Sequence, residues 1–148
     1  MSLSSEQCFG CFLVEPYKIL DHEADAGFEV YGHDEGELFQ NCVHALFSLI
    51  TDLEFVRPAV EKHVEIPVGT ESLILFLNEL LYLWDVENFI PKVVTIARGD
   101  KNITGTLKGE MLDESRHTLL GTVKAVTYHQ FSIQKDRGIL KATFIVDI

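Results

Sequence analysis

From Leu38 onward, apolar residues recur at three- and four-residue steps: Leu38, Phe39, Cys42, Val43, Leu46, Phe47, Leu49 and Ile50. That spacing lays one broad apolar stripe along a helix. Asp34 stands where a cap belongs, and Glu37 follows three residues later, as in a capping box. The pattern predicts a helix over about residues 35–53 that stops before Pro58. A second stripe, Leu73, Phe76, Leu77, Leu80, Leu81 and Trp84, predicts a helix over about residues 71–86, with Thr70 as its cap. Ile74, Leu75 and Leu83 extend its apolar surface around the cylinder, so it should be buried on more than one side.

Elsewhere the period shortens to two. Residues 63–68 alternate polar and apolar, and residues 27–31 read as a strand after the apolar run 17–20. Residues 91–97 and 103–111 flank Gly99-Asp100, and residues 119–134 and 139–148 flank Asp136-Arg137-Gly138. Both pairs read as hairpins. In the final run Leu140, Ala142, Phe144 and Val146 point one way, while Lys141, Thr143, Ile145 and Asp147 point the other. This order predicts an α+β fold: a two-layer sandwich of two main helices on a mostly antiparallel sheet. Residues 1–14 read as a flexible N-terminal arm, because chain ends fray, and residues 15–148 as one domain.

The length of 148 residues suits one domain with a real core, and the apolar fraction of 47% indicates a soluble globular chain. No apolar run approaches the ~20 residues of a membrane-spanning helix. The start, Met1-Ser2-Leu3-Ser4-Ser5-Glu6, lacks the basic and apolar regions of a secretory signal, so the expected location is cytoplasmic, with no membrane partner. Formal net charge is −11, the reverse of the basic surface that grips RNA or DNA. Direct nucleic-acid binding is not expected; bound cations or a basic protein partner suit the charge better. Cys8 and Cys11 have Cys-x-x-Cys spacing, but Cys42 sits alone in a helical pattern, so no second ligand pair completes a zinc site.

Candidate chemistry concentrates in Asp21-His22-Glu23-Ala24-Asp25, three carboxylates and an imidazole within five residues. Crowded carboxylates repel, so a chain that holds them together tends to share a proton or a cation. Oxygen ligands of this kind suit Ca²⁺ or Mg²⁺. A helix cap or tight turn is the competing reading, since Asp favours both. Asp147 would ordinarily be a solvated chain end. The last strand is apolar to its end, however, which should pin Asp147 and Ile148 into the sheet, where carboxylate and main-chain oxygens could hold a hard cation. Lys124 is either a solvated strand lysine or a contact for a phosphate or a partner's acid. His129 reads as structural or exposed, and His33, His44, His63 and His117 are too scattered to form a metal set. The chain carries no Gly-x-x-x-x-Gly-Lys-Ser/Thr loop, no Gly-x-Gly-x-x-Gly and no Gly-x-Ser-x-Gly elbow, so a nucleotide pocket or a serine nucleophile is not expected.

Six blocks stand out: Tyr17-x-Ile19-Leu20-Asp21-His22-x-Ala24-Asp25, Tyr31-Gly32, Glu37-Leu38-Phe39-x-Asn41 with Ala45-Leu46-Phe47, Leu77-Asn78-Glu79-Leu80-Leu81-Tyr82, Val123-Lys124-Ala125-Val126-Thr127-Tyr128-His129, and Phe144-Ile145-Val146-Asp147-Ile148. Together these blocks resemble the archease family, small protein partners of the tRNA-splicing RNA ligase. They run in order from about residue 17 to the end. The resemblance implies an archease-like α+β domain. It also implies a non-enzymatic cofactor that helps an RNA-splicing ligase to become guanylylated with GTP and to turn over repeatedly. A divalent cation is implied, Ca²⁺ in the family with Mg²⁺ or Mn²⁺ as alternatives, held by Asp25, Asp147 and the oxygens of Ile148. Lys124 matches a recurrent family lysine, and Asp21 and His22 match the motif in less defined roles. Glu23 departs from the Thr usual there. Two other classes remain open: a metal-dependent phosphoesterase using the same carboxylates, and a general chaperone-like binding module.

Overall fold

The chain runs β1 (Tyr17–Asp21), β2 (Asp25–Gly32), α1 (Glu35–Phe47), a 3-10 turn (Leu53–Phe55) and β3 (Val60–Pro67). It continues through α2 (Ser72–Glu87), β4 (Phe89–Arg98), β5 (Asn102–Met111), β6 (Ala125–Asp136) and β7 (Ile139–Asp147). This computed structural model describes residues 16–21 and 25–148, without the side chains of residues 20, 21 and 25. The expected N-terminal arm, Cys8 and Cys11, and the candidates His22 and Glu23 lie outside the described residues.

Both predicted helices form on antiparallel sheet, as the patterning requires, but the strands divide between two sheets. One has the order β1-β2-β7-β6, the other β3-β5-β4, and every pairing is antiparallel. The helices fill the space between: α1 lies against β2 and β4, and α2 against β3, β4 and β6. Aromatic rings join neighbouring strands and neighbouring helices in the core. Phe28 of β2 meets Phe144 of β7 with ring centroids 5.4 Å apart, and Phe39 of α1 meets Phe76 of α2 at 5.2 Å. All four are essentially inaccessible to solvent.

Helix α1 starts as its sequence predicts: the Asp34 carboxylate accepts the Glu37 N–H at 2.8 Å, and Glu37 reaches back to the His33 N–H at 2.6 Å. It ends at Phe47, short of residue 53, although Leu49 and Ile50 continue the stripe. Ser48 caps the last turn, and the Ile50 and Thr51 N–H groups both bond the Phe47 carbonyl, which turns the chain away with Ile50 still buried. Thr70 does not cap α2. Glu71 occupies the cap position without a side-chain bond, and Ser72 takes over: its hydroxyl accepts the Gly69 N–H at 2.8 Å and donates toward Pro67 at 2.9 Å. The Asp136–Gly138 turn is tight, with Arg137 at φ 54° and Gly138 at φ 80°. The expected strand over residues 119–134 begins only at Ala125, because residues 112–124 form a loop held to α1's end by the Thr51–Leu119 bridge.

Gly32 explains the Tyr31-Gly32 block. A Cβ there would sit 2.5 Å from the Leu38 N and 2.7 Å from its Cα, so only glycine lets β2 run directly under α1. Gly32→Ala should therefore lower unfolding free energy by about 2 kcal/mol or more, read from urea melts against wild type.

Candidate cation site at the end of the four-stranded sheet

Strand β7 lies between β2 and β6, and its last residue meets both neighbours at one level. Asp147 is opposite Asp25 on β2 and opposite Ala125 on β6. Direct antiparallel partners have Cα atoms roughly 4.5–5.5 Å apart, so the two aspartates predicted from opposite ends of the chain are adjacent. Asp21, at the end of β1, is opposite Ala26, one step from Asp25. The backbone N–H of Lys124 donates to the Asp147 carbonyl at 2.8 Å, which fastens the segment entering β6 to the end of β7. Asp21, Asp25, Lys124, Asp147 and Ile148 thus gather at one end of one sheet. Asp147, Ile148 and Lys124 are exposed.

The donors gathered here are carboxylate and main-chain oxygens, the ligand chemistry of hard cations. The Asp147 carbonyl already accepts from Lys124, which leaves the Asp147 carboxylate and the Ile148 oxygens as donors among the described groups. Nearby on β6, the buried hydroxyl of Thr127 has no hydrogen-bond partner among the described residues, in keeping with a polar site one partner short. The donor types match a divalent cation, although no group of three or more His, Cys, Asp or Glu placed to hold a metal occurs among the described residues. Lys124 has no ion-pair partner among the described residues, so its ammonium is open to an anionic group.

Two polar devices hold this end in place, and neither was singled out by sequence reasoning. The first is Asn78 of α2. Its side-chain NH₂ donates to the Val126 carbonyl at 3.0 Å and its Oδ1 accepts the Val126 N–H at 2.9 Å. The carboxamide acts as one residue of an absent neighbouring strand and ties α2 to the edge next to Ala125. A polar residue between Leu77 and Leu80 was the available signal.

The second is a buried cluster at the start of the loop that leads to Lys124. Glu110, little exposed, takes two bonds from Arg116 at 3.0 and 2.5 Å, and a third from the Arg57 N–H at 2.9 Å. Buried His117 accepts the Asp113 N–H at Nδ1 (2.9 Å), so its proton is on Nε2, which faces Glu110 Oε1 at 2.9 Å. The Arg116 hydrogen bonds, with smaller help from the Arg57 N–H and His117, outweigh burial and lower the Glu110 pKa from 4.5 to about 2. A Glu, an Arg and a His within eight residues was a signal for this cluster. His117, set aside above as scattered, is its buried member.

The archease protein family matches residues 17–148. A relative named protein archease, from Methanothermobacter thermautotrophicus, is 36% identical over 138 residues, which cover 89% of this chain and 98% of the relative. Another of that name, from Archaeoglobus fulgidus, is 36% identical over 140 residues, covering 89% and 98%. The solution structure of Methanobacterium thermoautotrophicum protein 1598 superposes with a TM-score of 0.77 at 37% identity, covering 90% of this chain and 99% of that one. A Thermotoga maritima crystal structure, described as an archease and possible chaperone, has the same fold at 20% identity, with a TM-score of 0.61 and 88% and 96% coverage.

The ordinary Glu110 pKa exceeds the folded value, so its ionised form stabilises the fold above about pH 4.5, and that contribution is lost as pH falls toward 2. Glu110→Gln should cost about 2 to 3 kcal/mol at neutral pH, with the gap to wild type closing over that acid window in urea melts. Asn78→Ala should speed amide exchange at Val126 and lower stability by about 1–2 kcal/mol, measured by hydrogen exchange and thermal melts.

Proposed function

The chain belongs to the archease family, and from that membership we propose that it is a divalent-cation-binding accessory protein, itself without catalytic activity, that activates an RNA-splicing ligase in tRNA splicing or RNA repair. In this reading Asp25, Asp147 and the oxygens of Ile148 hold the cation, and the ligase becomes guanylylated and turns over repeatedly. The observation that carries it is the register of β2 against β7, which pairs Asp25 with Asp147.

When bound, the cation supplies a compact positive charge that neutralises phosphate oxygens. The chain's own residues do the rest. Asp25 and Asp147 fix where that charge sits, because both are anchored in paired strands rather than in a loop. The Lys124 N–H keeps the end of β7 from fraying, and the Lys124 ammonium faces outward, toward a phosphate or an acid of the partner. Asn78 holds β6 against α2 beside these residues. The net charge of −11 supports a protein that works through carboxylates and contacts its ligase without gripping RNA. Asp21, at the end of β1, is assigned to the rim of this end, and His22 belongs to the same motif.

Calorimetric titration with Ca²⁺ and Mn²⁺ should show one site in the wild type, weakened by on the order of tenfold or more in Asp25→Ala and Asp147→Ala. In multiple-turnover ligation with the cognate ligase, wild type should accelerate the reaction and both variants should not. Equal acceleration by wild type and Asp25→Ala would sink the mechanism. Hydrolysis of a generic phosphoester by the isolated protein would favour the phosphoesterase reading. Suppression of aggregation that ignores Asp147→Ala would favour the chaperone-like one.

A further inference from the structure

A hollow of about 580 Å³ opens at the C-terminal end of α1, lined in part by Tyr17, Asp52, Phe55, Thr118 and Leu120. Two large apolar side chains of its lining face solvent, Phe55 at 56% and Leu120 at 60% exposure, and Leu119 next in the chain is 49% exposed. These residues are fixed in place. The Leu120 N–H donates to the Ile50 carbonyl at 2.8 Å, the Thr51 hydroxyl donates to the Thr118 carbonyl at 2.8 Å, and Leu119 bridges Thr51. The Phe55 carbonyl accepts from Arg116 at 3.2 Å. Backbone bonds thus present apolar groups to water at defined positions, the mark of an interaction surface.

Its charge selects the partner. Asp52 and Glu54 line the same hollow, the carbonyl end of α1 adds negative potential, and no lysine or arginine is among its described lining residues. Lys92 is turned inward onto the Leu53 carbonyl and Arg116 onto Glu110, while the exposed Arg57 lies in the adjoining hollow that shares Glu54 and Phe55. A second copy of this chain would bring the same acidic rim and a net charge of −11, and a nucleic acid would be repelled. We propose that this hollow is the docking site for a basic segment of a partner protein, one whose arginines or lysines meet Asp52 and Glu54 while aliphatic side chains cover Phe55 and Leu120. The inference stands on shape and charge alone and does not depend on a bound cation.

The test is an amide-detected NMR titration of the full chain with a short synthetic peptide of alternating arginine and leucine. A matched peptide with glutamate in place of arginine serves as the control. The basic peptide should bind and shift the amides of Asp52, Phe55 and Leu120, and the acidic one should not bind. Leu120→Ser and Glu54→Lys should each weaken binding by about fivefold to tenfold. Both side chains are exposed, so melting temperatures should match wild type. Asp147→Ala should leave the titration unchanged even where it abolishes Ca²⁺ binding, which keeps this result separable from the cation reading. Equal binding of the two peptides would overturn the proposal. So would shifts centred on the exposed Tyr82 and Val86 of α2, indifference to Leu120→Ser, or loss of binding in Asp147→Ala.

Discussion

Antiparallel hydrogen bonding of β7 between β2 and β6 is the constraint on which the rest of the molecule depends. A strand held on both sides cannot slip by one residue without turning every side chain to the other face. Ala142, Phe144 and Val146 are wholly buried on one face, and such a slip would turn a phenylalanine and two aliphatics out of that packing. The level of Asp147 against Asp25 is therefore set by core packing some distance away. The hydrophobic register imposes that arrangement on the two residues.

The same division of labour recurs elsewhere. Apolar burial decides which elements form, and a few polar bonds decide where their ends lie. Asn78 finishes the edge of β6, Ser72 closes the start of α2, and Glu110 gathers Arg57, Arg116 and His117 where β5 gives way to the loop. Each is a buried or half-buried group with its partners supplied, so each adds specificity of position without leaving an unpaired charge inside.

Much of this was legible in the sequence. Both helices and both hairpins followed from period and turn residues, since an amphipathic stripe and a Gly-containing turn are local properties. Local properties also misled. Leu49 and Ile50 extended the α1 stripe because they are buried, yet burial there comes after the backbone has turned. Residues 119–124 read as strand from composition, but among them only Leu119 finds a strand partner, the single bridge to Thr51. The division into two sheets was not legible, because alternation reports which face is buried and says nothing of which strand is next. The meeting of Asp25 with Asp147 came from the family resemblance and from the apolar run into Ile148, not from spacing. Asn78 was hidden because its partner is a backbone group 48 residues away.

Between Thr127 and Ser132 the register of β6 against β7 shifts, with residues 128–131 facing a single residue of β7 and Gln130 at φ 58°. Such an irregularity divides one long hairpin into two independently registered ladders. The ladder near Asp147 answers to the core and to α2, while the ladder near Asp136 answers to its tight turn. Over evolutionary time the turn can lengthen, shorten or change sequence and the difference is absorbed in the slack at 128–131. The acidic end of the sheet is in this sense insulated from the turn, because β7 stays paired with β2 as far as Leu140 and the β6 arm alone takes up the difference.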